Sequence, residues 1–167
     1  MAENYLEQLV AQWYEYQGFF VRQNVLVGKR AKGGYECELD IIAFHPAQEK
    51  LVHIEASMDA DSWVKREKRY KKKFEVGRKY IPNLFEGFKV PEKIDQIALF
   101  VFASKKTYQE IGGGQIVLIQ ELLEEIFLSL KEQKIASNAI PEHLPILRSF
   151  QLVSDYRNVL CKIWEGN

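Results

Sequence analysis

The sequence predicts an α/β protein with a mixed central sheet of about four or five strands flanked by helices. Two stretches, YECELDIIAF (35–44) and KLVHIEAS (50–57), alternate their side chains with the period of a strand, and only HPAQE (45–49) separates them, as in a hairpin. Apolar residues at helical spacing mark segments near 4–17, 61–81 and 120–133. In chain order this reads helix, three strands, helix, two strands, helix. That is the pattern of a mixed layer in which an antiparallel hairpin feeds a helix-linked strand.

Asn4 can cap the first helix, with Glu7 three residues on as its capping-box partner. Leu6, Leu9, Val10, Trp13, Tyr14 and Gln17 recur along one face, and Gly18 closes the helix. FFVRQNVLV (19–27) reads as a strand and GKRAKGG (28–34) as a basic, flexible turn. After the hairpin, Asp61 or Ser62 starts a second helix. Trp63, Tyr70, Phe74 and Ile81 form its apolar stripe, Lys65, Lys68, Lys72 and Lys79 take another face, and Pro82 is its stop. QIALFVFAS (96–104) is nearly all apolar, as a central strand covered on both faces would be. Gly112 to Gly114 read as a flexible turn before a short strand, QIVLI (115–119). The helix from about 120 to 133 buries Leu122, Leu123, Ile126, Phe127 and Leu130; Pro141 and Pro145 interrupt the tail, and 146–164 adds helical cover.

At 167 residues and 47% apolar content, the chain reads as one domain able to bury a single core, about 3–120, with helical cover over about 121–164. The longest apolar runs are strand-length or broken by acids, so no membrane span is expected. MAENYLEQLV lacks the basic flank and apolar stretch of a secretory signal. Cys37 and Cys161 lie far apart without metal-ligand spacing and read as reduced thiols of a cytoplasmic protein.

The formal net charge is zero, with 23 basic and 23 acidic residues, but the charges are segregated. KREKRYKKKFEVGRK (65–79) holds nine Lys or Arg against two Glu, a net of +7, and GKRAK (28–32) adds +3. A polyanion would meet a local basic patch despite the neutral total. On its own, such a run is equally compatible with a solvated helix face.

The acids raise a sharper question. Strand alternation puts Glu36, Glu38 and Asp40 on one face of the first hairpin arm, and His53, Glu55 and Ser57 on one face of the second. If Asp40 and Glu55 meet across the hairpin, two carboxylates converge and repel, and one is pushed toward protonation. A hard divalent cation removes that conflict: Mg²⁺ takes one or two carboxylates plus waters and phosphate oxygens. It could then activate water and stabilise an in-line attack on phosphate.

ELDIIAF…LVHIEAS resembles the PD-(D/E)xK, or restriction-endonuclease-like, nuclease superfamily, whose hallmark is an Asp near the end of one strand and D/E-x-K on the next. Asp40 matches the first acid and Glu55 the second. Glu7 to Gly18 and Phe19 resembles the family's opening helix, which often carries an acid facing the metal, and the basic helix stands in the family's usual place. The resemblance covers roughly 3–120. It implies a restriction-endonuclease-like core and a metal-dependent DNA endonuclease or other nuclease hydrolysing phosphodiester bonds, with Mg²⁺ or Mn²⁺ held by Asp40, Glu55, the Ala56 carbonyl and Glu7. DNA is the implied partner, its backbone held by Lys29, Arg30, Lys32, Arg69, Lys72 and Lys73; a homodimer stays open as an arrangement, and no membrane partner is implied.

One position departs from the pattern. Where the family carries its lysine, two residues after the Glu, this chain has Ser57. The lysine orients the attacking water and balances transition-state charge, and a hydroxyl supplies no positive charge. Either a lysine of the following helix reaches back, Lys68 ahead of Lys65, or the site is degenerate and binds nucleic acid without cutting. A third reading is a protein-interaction domain using neither charge nor metal. Glu36 and Glu38 are expected to line the groove or solvent, and His53 reads as a structural residue first and a base or ligand second. Gly112 to Gly114 lack the G-K-[ST] ending of a phosphate loop, and neither the serines nor the cysteines stand in a nucleophile motif.

Overall fold

A computed structural model describes residues 4–105 and 107–166. Helix α1 (Tyr5–Tyr16) starts at Asn4, whose side chain accepts from the Leu6 N–H at 3.1 Å, so the expected cap forms. It leads into β1 (Phe20–Lys29), β2 (Tyr35–His45) and, after one 3-10 turn, β3 (Lys50–Ser57). Helix α2 (Trp63–Tyr80) follows and passes at Ile81–Phe85 into a 3-10 turn holding Pro82, where the sequence places the stop. Strands β4 (Asp95–Phe100), β5 (Glu110–Ile111) and β6 (Gly114–Leu118) complete the sheet, and α3 (Ile119–Leu130), α4 (Pro145–Asp155) and α5 (Arg157–Glu165) complete the chain.

The protein is α/β, with a mixed six-stranded sheet in the order β1-β2-β3-β4-β6-β5. β1, β2 and β3 are antiparallel neighbours, β3–β4 and β4–β6 are parallel, and β5 pairs antiparallel with β6. The strand beyond the expected four or five is β5, two residues long. β4 is shorter than the apolar run 96–104 suggests: beyond Phe100 the chain leaves the ladder, and Phe102 is exposed.

The chain divides into two compact units, one ending at Ile119 and the other beginning at Gln120. The second unit holds α4, α5 and all but the first residue of α3. Within it Leu122, Ile126 and Leu130 of α3 are buried, and Asp155 at the end of α4 pairs with Lys134. Among the described residues, no helix is long and apolar enough to cross a membrane.

In the first unit, α2 lies on one face of the sheet. Its Val76 and the following Ile81 and Phe85 pack with Val25, Val27, Leu39, Ile42, Phe44 and Leu51. Nearer its start, Tyr70 and Phe74 pack with Ala98, Phe100, Ile111 and Ile116. Ile41, Ala43, Val52 and Ile54 alternate with this set and are buried as well, and α1 contacts β1, β2 and β3. Each such side chain contributes about 1.5–3 kcal/mol by leaving water, so the hairpin carrying the acids is anchored from both sides. One irregularity lies opposite Asp40. Asn24 adopts a left-handed φ of 51° between the paired residues Gln23–Ile41 and Val25–Leu39, and Leu39 joins the α2-side cluster instead of alternating away from it.

Candidate functional site

The register of the hairpin brings the two acids together. β2 and β3 pair as Ile41–Ile54 and Ile42–His53, which sets Asp40 level with Glu55. There side chains take over the ladder: the Asp40 N–H donates to Glu55 Oε1 at 3.3 Å, and the Ala56 N–H donates to Asp40 Oδ2 at 3.1 Å. Each carboxylate thus satisfies a backbone donor of the opposite strand. β3 is a central strand, with Glu55 beside Ala98 of β4, so Glu55 is only 1% exposed.

The cation that reaches this pair is Lys73. Its Nζ donates to Asp40 Oδ1 at 2.6 Å and also to Glu55 Oε2. The expected lysines do not: Lys65 and Lys68 are exposed, and Lys65 makes a 3.9 Å pair with Asp61, just before the helix. Helix phase explains the difference. Lys73 lies three residues after Tyr70 and seven after Arg66, and both of those are buried against the sheet. It was expected on the phosphate-binding surface, whereas it turns inward. Lys72, Lys29, Arg30 and Lys32 are exposed. Glu36 lies near the hairpin tip and accepts from the Tyr80 hydroxyl at 2.8 Å, with Lys79 at 3.5 Å, so the basic turn sits beside the last turn of α2.

Charge in the cluster is undercompensated. Burial, reinforced by the Glu55 charge, pushes Asp40 up to about 6. Burial likewise raises Glu55. Burial works against the Lys73 ammonium, but the charges of Glu55 and Asp40 outweigh it and hold its pKa above the ordinary lysine range. Glu7 is raised by burial and by Asp40; it accepts from the Asn4 side-chain amide at 2.7 Å, in place of the backbone N–H of a capping box, and lines the same cleft.

At the lysine-deficient position, Ser57 donates to Asp59, and the Asp59 N–H returns a bond to Ser57 Oγ at 3.2 Å. Asp59 also takes Arg66 Nε at 3.2 Å and an Arg69 Nη2 contact, and Arg69 reaches Asp61 at 3.1 Å. Burial works against the Asp59 charge, yet the bonds from Ser57, the Asp61 N–H and Arg69 hold its carboxyl well below the usual carboxylate range. Arg69, expected at a phosphate, is therefore ion-paired at the cleft wall. Asp59 and Arg66 were not singled out in the sequence. Arg66 had a signal, since it lies four residues before the buried Tyr70.

These groups line one cleft of about 350 Å³, formed by Glu7, Asp40, Glu55, Ser57, Asp59, Arg69 and Lys73 among others. Among the described residues, no group of three or more His, Cys, Asp or Glu side chains is arranged to hold a metal. The donor set is the smaller one that Mg²⁺ accepts, two carboxylates with the remainder left to carbonyl, water and phosphate oxygens. Burial and, after it, the Glu55 charge both penalise ionised Asp40, and two facing carboxylates are donor chemistry that a hard cation fits.

No family model matches the chain, and no curated protein matches it. Among solved structures it is similar to the crystal structure of AF1548, a protein of unknown function. The two are 15% identical, the match covers 88% of this chain and 95% of that one, and the TM-score is 0.48.

Proposed function

We propose that this protein is a metal-dependent nuclease hydrolysing DNA phosphodiester bonds, with the restriction-endonuclease-like site its sequence resembles. The observation that carries the reading is the meeting of Lys73 with both Asp40 and Glu55. It supplies from α2 the positive charge absent at Ser57. Asp40 and Glu55 would hold Mg²⁺ or Mn²⁺, with the Ala56 carbonyl beside them and Glu7 assisting at the cleft edge; the cation supplies Lewis acidity toward a phosphate and its attacking water. Lys73 presents an ammonium at the carboxylates, where it can orient a water and offset charge developing on phosphate. Arg69 on the cleft wall and the exposed Lys29, Arg30, Lys32 and Lys72 offer cations to the DNA backbone.

The test is cleavage of supercoiled, linear and single-stranded DNA with Mg²⁺ or Mn²⁺ by wild type, Asp40→Asn and Glu55→Gln. Both variants should lose cleavage and keep salt-sensitive DNA binding. Undiminished metal-dependent cleavage in both would refute the reading.

A non-cleaving DNA-binding module of the same fold is the second reading. One observation favours it: Lys73 already pairs with both acids, giving them a counter-charge without a metal. It predicts binding that weakens steeply with salt and no cleavage of any of the three substrates with either metal.

A further inference from the structure

Behind Glu55, on the side away from the cleft, runs a chain of hydrogen bonds that the proposed chemistry leaves unexplained. Arg78 Nη1 donates to Gln96 Oε1. Gln96 Nε2 donates to the Phe74 carbonyl at 2.8 Å and lies 3.3 Å from His53 Nδ1. His53 Nε2 lies 2.7 Å from Glu55 Oε1. His53 and Glu55 are 0% and 1% exposed, and Gln96 is 8% exposed.

The outer partners determine where the protons sit. A guanidinium only donates, so Gln96 turns its oxygen to Arg78; a carbonyl only accepts, so the same amide turns its nitrogen to Phe74. That nitrogen can only donate to His53 Nδ1. The proton of the neutral imidazole is then on Nε2, aimed at Glu55 Oε1.

We infer that His53 is a positioning residue for Glu55: its Nε2–H, fixed by Gln96, holds Oε1 inside the sheet and turns Oε2 to the cleft. The two oxygens are in fact divided this way. Oε1 takes His53 and the Asp40 N–H, and Oε2 takes Lys73. The ring has a slot built for it. Phe74 meets it edge to face, with centroids 5.3 Å apart, and on α2 a Cβ at Gly77 would collide with His53 Nδ1 and Cε1. A neutral donor suits the place, because it orients a buried carboxylate without adding a charge that would compete with a cation in the cleft. Partners of this kind, hydrogen-bonded behind a metal-binding carboxylate, typically change metal affinity or activity by about 10–100-fold when removed.

The activity arm of this inference rests on the nuclease reading. The test compares His53→Leu, which removes the donor, with His53→Gln, which can return an N–H near the position of Nε2. His53→Leu should lower kcat for DNA cleavage and weaken Mn²⁺ binding, each by about 10–100-fold, with KM for DNA unchanged, and His53→Gln should recover most of both. In metal-free wild type, a long-range ¹H–¹⁵N spectrum should show His53 protonated at Nε2 and bare at Nδ1. A proton on Nδ1 overturns the inference, as does a His53→Leu protein with wild-type kcat and Mn²⁺ affinity. Equal losses in the two variants, following their losses in Tm, overturn it too, by reducing His53 to core packing. If wild type cuts no DNA, the nuclease reading fails by itself, and the spectrum still decides how His53 holds Glu55.

Discussion

Lys73 Nζ lies 2.6 Å from Asp40 Oδ1 across 33 residues of sequence, and the same ammonium pairs with Glu55. A lysine with a side chain 22% exposed thus serves two acids that are 13% and 1% exposed. Lys73→Met would leave two facing carboxylates with no counter-charge. Removing one partner of a buried pair costs about 3–5 kcal/mol, and the partial exposure of Lys73 places this one near the lower end, about 3 kcal/mol in urea unfolding at pH 8. Cleavage at saturating DNA should fall by about 100-fold or more, the scale of a lost electrostatic donor at the reacting group. Lys68→Met, on the exposed face, should stay within about 0.5 kcal/mol of wild type and keep its turnover. An inactive Lys68→Met beside an active Lys73→Met would return the catalytic role to the outer face of the helix.

Asp40 gives the site a pH dependence with a definite sign. Its folded pKa, raised to about 6 by burial and by Glu55, exceeds the ordinary aspartate value of 3.8. The folded protein therefore holds a proton that the unfolded chain has released. The resulting stability is fully present below about pH 4 and is lost as pH rises through about 6. Asp40→Asn has no such titration, so wild type should lose up to about 3 kcal/mol relative to this variant across that window. A bound cation needs the ionised carboxylate, so Mn²⁺ affinity should drop as pH falls below about 6, and titration calorimetry there should detect proton release. Mn²⁺ affinity constant from pH 5 to 8 would contradict the assignment of Asp40 as a ligand.

Arg66 and Arg69 share Asp59 but stand in different surroundings, and their variants should separate. The side chain of Arg66 is 6% exposed, with Asp59 at 3.2 Å and the Phe102 carbonyl at 3.0 Å as partners. Asp59→Ala strands that buried guanidinium and should cost about 3 kcal/mol. Arg69 is 38% exposed, so Arg69→Ala should cost less than about 1 kcal/mol. Its effect belongs on substrate: weaker DNA binding and a shallower salt dependence, measured by titration at several ionic strengths. Unchanged binding in Arg69→Ala would leave Arg69 as a clasp on Asp59 with no part in holding DNA.

Asp40 and Glu55 were legible because a two-residue period on a short hairpin leaves few ways to pair them, and the apolar residues around Ile41–Ile54 fix which. Lys73 was not. Lys71, Lys72 and Lys73 are consecutive, successive helix positions rotate by about 100°, and nothing in their composition says which one points inward. The apolar stripe through Trp63, Tyr70, Phe74 and Ile81 leaves Lys73 at its margin. Including Arg66 and Gly77, both buried, widens the stripe toward Lys73, but an arginine and a glycine do not announce a core face. β5 escaped because two residues carry no period, and Leu39 changed sides because a left-handed residue, Asn24, interrupts the neighbouring strand. Asp59 sits in the loop before α2, where no periodicity operates.

Gly112 shows how far the turn between β5 and β6 is from the flexible loop its glycines suggest. Its φ is +58°, its N–H donates to Glu67 Oε2 at 3.0 Å, and a Cβ there would collide with backbone atoms of Tyr70 and Lys71. The turn is pressed onto α2 one helical turn before Lys73, so it supports the element that delivers the cation. Gly112→Ala meets a left-handed backbone, worth about 1–2 kcal/mol, and an overlap with main chain that cannot rotate away, worth about 1–3 kcal/mol more. Gly113 is left-handed as well, at +84°, but its Cβ would come no nearer than 3.9 Å to Arg78. Gly113→Ala should therefore show the backbone cost alone. Urea unfolding of the two variants checks the difference, and Lys73-dependent cleavage should decline in Gly112→Ala beyond what its unfolded fraction explains. Equal stability losses at the two positions would mean that the contact with α2 is not what holds the turn.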